Sequence, residues 1–196
     1  MSLGFDFIAL QERLEAEGRP RKVACSMALK AYRESLSAFA TLIDLISQRN
    51  SNGPGAVIVA AAGNDSSHPE VLIDVSMPAA AANEVISVGA LFQGPAALGV
   101  APFSNIGPVL SAPGYGIVSA KANETGLAAL DGTSMACPHV AEAAALWWEW
   151  AVKNVGLVSA SSVHARVVGS ARPRGFMQDV DPIDRGSGMV TAPQPD

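Results

Sequence analysis

A chain of 196 residues suits one domain with its own core, and at 49% hydrophobic against 16% charged it is apolar for a soluble protein. A formal net charge of −5 with no run of lysine or arginine makes nucleic acid and anionic membrane poor partners, and no apolar run approaches the length of a membrane span. Two cysteines, Cys25 and Cys137, do not make a disulfide framework, and Met1-Ser2-Leu3-Gly4-Phe5 has none of the marks of a signal peptide, so no compartment is assigned.

Residues 5–17 read as an amphipathic helix, with Phe5 and Ile8 on one face and Glu12, Glu15 and Glu17 on another, ended by Gly18 and Pro20. Val23-Ala24-Cys25-Ser26-Met27 reads as a short buried strand. A second helix is predicted from Tyr32 to Gln48, with Leu36, Phe39, Ala40 and Ile43 inward, and Asn50-Ser51-Asn52-Gly53-Pro54-Gly55 is a turn. Ala56 to Ala62 is apolar at every position, the pattern of a parallel strand covered on both faces. Strand, helix and strand in that order predict a right-handed βαβ unit. Gly63-Asn64-Asp65-Ser66-Ser67-His68-Pro69 then forms a polar turn at the carboxyl edge of the sheet, where open α/β sheets bind ligands.

Val85 to Ala90 is the next predicted strand. Leu91 to Ser111 reads as loop with short extended pieces, and Ser111-Ala112-Pro113-Gly114 turns into an extended Ile117 to Ala120. Further helices are predicted from the Asp131 region to about Val152 and over Ser161 to Val168, with a closing strand from Gly186 to Thr191. No repeat or internal boundary interrupts the chain, so residues 1–191 are expected to form one domain and 192–196 a disordered tail.

The stretch Asp131-Gly132-Thr133-Ser134-Met135-Ala136-Cys137-Pro138-His139-Val140-Ala141 carries the chemistry. A glycine-containing turn delivers Ser134 onto the start of an apolar helix, among unpaired N–H groups and at the positive end of the helix dipole. That environment favours the negative charge developing when a serine attacks a carbonyl. The run resembles the nucleophile segment of subtilisin-like serine proteases, the subtilases. Val59-Ala60-Ala61-Ala62-Gly63-Asn64 is similar to the family segment whose asparagine donates to the oxyanion, the second donor being the backbone N–H of the serine.

Further motifs are collinear with the family: Val23 to Ala28, Met77-Pro78-Ala79, Val85 to Ala90, Phe103-Ser104-Asn105-Ile106-Gly107-Pro108 and Ala112-Pro113-Gly114. The resemblance implies an α/β fold with a mostly parallel sheet flanked by helices, a subtilisin-like three-layer sandwich lacking its N-terminal strands. It implies a serine endopeptidase that hydrolyses peptide bonds through an acyl-enzyme at Ser134, with Asn64 as oxyanion donor. Ser26, Met27 and Ala28 and Ala61, Ala62 and Gly63 would line the substrate groove.

Three departures qualify this. Glu142 stands where the family has a packing glycine and is expected to face open space or a cation. Ala28 replaces a glycine that admits a substrate strand. The aspartate and histidine motifs of the family, which precede the serine, do not occur. His139 lies five residues beyond Ser134, rotated by about 140° and displaced by about 7.5 Å along a helix, too far to take its proton. His68 is expected at the surface and His164 in the late helix, while Cys25 and Cys137 read as small core residues. No metal-ligand pattern or cofactor motif is present. The chain is therefore expected to be inactive alone. The alternatives are a non-catalytic peptide-binding module, or half of a split protease completed by another chain. Expected partners are a polypeptide substrate or a complementary N-terminal segment, with self-association through an open sheet edge. The family is commonly secreted.

Overall fold

The computed structural model describes residues 6–49, 55–75 and 77–194. Asp6 caps the first helix, α1 (Phe7–Ala16), its Oδ1 accepting from the Ala9 N–H at 2.8 Å, and Gly18 ends the turn that follows. The chain then enters α2 (Arg21–Arg49), a single helix of 29 residues. This corrects the sequence reading, which placed a buried strand at Val23–Met27 and hence a βαβ unit.

The physical reason is local. No glycine or proline interrupts Arg21 to Arg49, and Ala28 replaces the glycine that would break the helix, a difference of about 1 kcal/mol in helix propensity. Ala24 and Ala28, one turn apart, are fully buried, and α1 packs alongside. The predicted turn at 50–54 and residue Phe5 lie outside the described residues.

The strand β1 (Ile58–Ala61) follows, then the single turn α3 (Pro78–Ala81) and β2 (Val85–Gln93), which extends three residues beyond its predicted end at Ala90. The segment expected to be loop contains β3 (Leu98–Val100) and β4 (Leu110–Pro113). β2 is the centre of the sheet. On one side it pairs with β1 in parallel, Ile58 opposite Val85, and farther along with β3 antiparallel, Leu91 opposite Val100. On the other side β4 runs parallel, Val88 opposite Leu110.

Alternation along β2 sorts the two faces. Ile86, Val88 and Ala90 join Leu110 and Ala112 against Ala136, Val140 and Ala144 of α4 (Thr133–Asn154), with Val163 and Val167 of α5 (Ala160–Gly169) in the same core. Val85, on the opposite face, packs with Ile43 of α2 and with Ala82, Phe39, Ile58 and Ala60. Helices thus cover both faces of a mostly parallel sheet.

Between β4 and α4 stands a separate antiparallel hairpin, β5 (Ile117–Ala120) and β6 (Leu127–Leu130), of which sequence reading recognised only the first strand. Val118, Ala120, Leu127 and Ala129, on one face by register, are all exposed. A turn of helix, α6 (Pro182–Arg185), precedes the predicted closing strand, and Gly186 to Thr191 is an extended piece held by isolated bridges rather than a full strand. That piece bridges β4 through Ser111 N–H to Gly188 O and Val190 N–H to Ser111 O, both 2.9 Å. Trp147 Nε1 donates to Thr191 O at 2.8 Å. No described helix is long and apolar enough to cross a membrane.

Candidate active site

Two elements meet at the carboxyl edge of the sheet: the loop after β1 and the first turn of α4. Gly63 turns the chain at φ +111°, and a Cβ there would collide with the Asn105 amide, so both shape and space require glycine. Asn105 is fully buried and knits the loop together. Its Oδ1 accepts from Asp65 N–H (2.9 Å), Ser66 N–H (3.1 Å) and Ser66 Oγ (3.3 Å), while its Nδ2 donates to Ala62 O (3.3 Å) and Asp65 Oδ2 (3.0 Å).

Thr133, also fully buried, joins this loop to the helix. Its Oγ1 accepts from Gly63 N–H at 3.2 Å and donates to Asn64 Oδ1 at 2.9 Å, and its own N–H donates to the same oxygen at 2.9 Å. A backbone N–H can only donate, so the atom it meets must be the amide oxygen, and the orientation of Asn64 is settled. The NH2 of Asn64 is left facing outward.

The first N–H groups of α4 show where Ser134 differs. Thr133 N–H is taken by Asn64, and Met135 and Ala136 N–H both reach Gly132 O, at 2.9 and 3.3 Å. Neither the Ser134 N–H nor its hydroxyl has a hydrogen-bond partner among the described residues, and its side chain is exposed. The point where Gly132 would carry a Cβ lies 3.6 Å from Asn64 Nδ2 and 3.7 Å from Ser134 N. Two unused donors therefore flank one small space that exists because residue 132 is glycine.

Gly132 is held in turn by Gly114, to whose carbonyl it donates at 2.8 Å. A Cβ on Gly114 would stand 2.7 Å from Ala90 Cβ and 2.8 Å from Gly132 O, contacts that rigid neighbours cannot absorb. Gly114→Ala is expected to destabilise the chain by about 1–3 kcal/mol through overpacking, which a urea titration reads directly; an unchanged midpoint would show that Gly132 is free to move.

No described histidine serves Ser134. His139 Nδ1 donates back along its helix to Met135 O at 2.9 Å. His68 Nε2 donates to Ser104 O at 2.7 Å, so that nitrogen is occupied. His164 lies in α5. Burial pushes the Cys137 thiol above its ordinary pKa, which keeps it protonated and inert. Cys25, expected in the core, is exposed on α2. Glu142 faces solvent, and no described ion pair involves it. Among the described residues no cluster of His, Cys, Asp or Glu is arranged to hold a metal.

Of the expected groove residues, Ala61, Ala62 and Gly63 lie at the end of β1 beside Asn64. Ser26, Met27 and Ala28 do not join them; they lie within α2, where their backbone groups belong to the helix. Sequence reasoning quoted Thr133, Asn105 and Gly132 within motifs but gave none of them a role.

The sequence fits the model of the Subtilase family over residues 2–189. It is 33% identical over 151 residues to the major intracellular serine protease of Bacillus subtilis, a match covering 76% of this chain and 44% of that protein. Over 96 residues it is 38% identical to the cuticle-degrading serine protease of Arthrobotrys oligospora, covering 47% of this chain and 22% of that protein. Among solved structures it is similar to the prenylagaramide maturation protease PagA, with a TM-score of 0.59 and 25% identity, covering 86% of this chain and 53% of that one. The chain spans less than half the length of these two curated relatives. With the family model matched along nearly all its residues and helices on both faces of the sheet, the chain belongs to the subtilase family.

Proposed function

We propose that this chain supplies the nucleophile and oxyanion hole of a subtilisin-like serine endopeptidase, and that it does not turn over substrate alone. The observation that carries the reading is the pair of unused donors, Ser134 N–H and Asn64 Nδ2, around the space beside Gly132. In the reaction, Ser134 Oγ attacks the scissile carbonyl carbon while a base takes its proton. The carbonyl oxygen, now an anion, is held by the two donors. Collapse expels the amine, which receives that proton, and leaves an acyl-enzyme for water to cleave. The base and its orienting carboxylate would come from a complementary protease segment outside these residues. The polypeptide substrate would pass along Ala61, Ala62 and Gly63.

An activated peptide ester offered with free imidazole tests this, because imidazole replaces the missing base and the ester replaces a difficult leaving group. Acylation is expected at Ser134, abolished by Ser134→Ala. It should fall by roughly 10²–10³ in Asn64→Ala, a figure that comes from the subtilase family itself. Acylation indifferent to Ser134→Ala would remove the catalytic reading and leave a peptide-binding module.

A further inference from the structure

Gly132 borders the space between the two free donors, yet glycine is the residue whose own backbone fixes least. Its φ of +152° and ψ of 155° lie in a region that residues with a Cβ avoid, so neighbours on either side have to impose the conformation. On the helix side they are Gly63 and Asn64, bonded to Thr133. On the other side the chain arrives from β6, and what holds it there is a separate set of contacts.

Gly132 N–H donates to Gly114 O at 2.8 Å, and Gly114 N–H donates to Leu91 O of β2 at 2.9 Å, so this path leads back to the sheet. Two residues farther on, Gly116 N–H donates to Asp131 Oδ1 at 2.6 Å. The antiparallel register puts Gly116 opposite Asp131, one rung beyond the Ile117–Leu130 pair, so the carboxylate closes the root of the hairpin. Between the two glycines, Tyr115 stacks on Phe103 at 6.4 Å between ring centroids and meets Phe92 edge-on at 6.2 Å. The segment that Asp131 grips is therefore itself fixed to the body of the protein.

Beyond that root, the hairpin pairs with no other strand among the described residues, and Val118, Leu127 and Leu130 are exposed. A two-stranded hairpin is marginal by itself, so its motion reaches Gly132 unless the root is fastened. A backbone N–H given to a carboxylate makes a bond roughly twice as strong as one to a neutral acceptor. Asp131, the residue directly before Gly132, is where such a bond has most effect.

We propose that Asp131 is a positioning residue for the oxyanion site, an inference that rests on the endopeptidase reading. By gripping Gly116 it holds the peptide that enters Gly132, and through Gly132 it keeps the Ser134 N–H in register with Asn64 Nδ2. Its negative charge works against an oxyanion, but at an exposed position that repulsion is screened by water and salt, and the hydrogen bond outweighs it. Substitution separates the two effects. Asp131→Asn removes the charge and keeps an oxygen acceptor, whereas Asp131→Ala removes both.

The test is imidazole-assisted acylation of the full chain by the activated peptide ester, without denaturant, where a modest loss of stability leaves the folded fraction and hence the rate unchanged. Asp131→Ala is expected to acylate about tenfold more slowly, a part of the roughly 10²–10³ that losing a donor outright costs in this family. Asp131→Asn should restore the rate to within about twofold, because its amide oxygen can accept from Gly116. In the Asn64→Ala background, Asp131→Ala should cost less than about threefold, since residues serving one site are not additive. Acylation of Asp131→Ala at the native rate overturns the proposal. So does an Asp131→Asn variant as slow as Asp131→Ala or faster than the native chain, or a full tenfold loss in the Asn64→Ala background. If neither Ser134→Ala nor Asn64→Ala changes acylation, the endopeptidase reading fails and takes this inference with it; loss in those two variants but not in Asp131→Ala sinks the inference alone.

Discussion

Treated with a fluorophosphonate, the chain on its own is expected to stay unlabelled at Ser134 over times in which a complete serine protease reacts fully. The reagent needs an oxygen nucleophile whose proton is being removed, and general-base assistance is worth roughly 10²–10⁴ in rate. Two of the three histidines are committed elsewhere, His139 to Met135 O and His68 to Ser104 O, and His164 sits in α5. The free donors near Gly132 would stabilise an oxyanion once formed but would remove no proton. Rapid stoichiometric labelling, lost in Ser134→Ala, would mean that a histidine had been recruited. His68, four residues beyond Asn64, would be replaced first to find it.

The largest loss of stability is expected from Asn105→Ala. The asparagine makes five side-chain hydrogen bonds inside the fold, and three of its partners are backbone groups of the loop after β1: Ala62 O, the Asp65 N–H and the Ser66 N–H, the last shared with Phe103 O. Truncation removes the amide from Ala62 O and the Asp65 N–H and leaves the Ser66 N–H only Phe103 O, at about 1–3 kcal/mol for each buried group left unsatisfied. The sum after relaxation is about 3–5 kcal/mol, a melting temperature lower by about 10 °C for a chain of this size. A drop of only a degree or two would mean that water takes the place of the amide, and that the loop carrying Asn64 is supported from elsewhere.

The sequence was legible where the signal was local and redundant. Val85 to Ala90 is apolar at nearly every position between turn residues, and nothing but a buried strand accounts for it. The nucleophile turn, likewise, is written in eleven consecutive residues. Val23–Met27 failed for the opposite reason. Five residues of mixed apolar character suit either a strand or a helix turn, and the choice depends on what pairs with them, which is not encoded locally. β6 was missed because Leu127-Ala128-Ala129-Leu130 has no alternation to mark it; it is a strand because β5 lies opposite. The positions of Ser134 and Asn64 followed from motif; the residues that hold them, Thr133 and Asn105, did not, because a buried hydrogen bond between residues 70 apart leaves no periodic trace.

The single hydroxyl of Thr133 touches both halves of the candidate site. It is bonded at once to the backbone of residue 63 and the side chain of residue 64, while its own peptide begins α4. A displacement of the loop would therefore have to carry the helix start with it, which restrains the separation between the two donors. In electrostatic terms the dipoles that would meet an oxyanion need little reorganisation when charge arrives. That rigidity is local to a few side chains at one end of the sheet. It does not depend on what stands beside β1, because the bonds that set it run only between the loop after β1 and the start of α4.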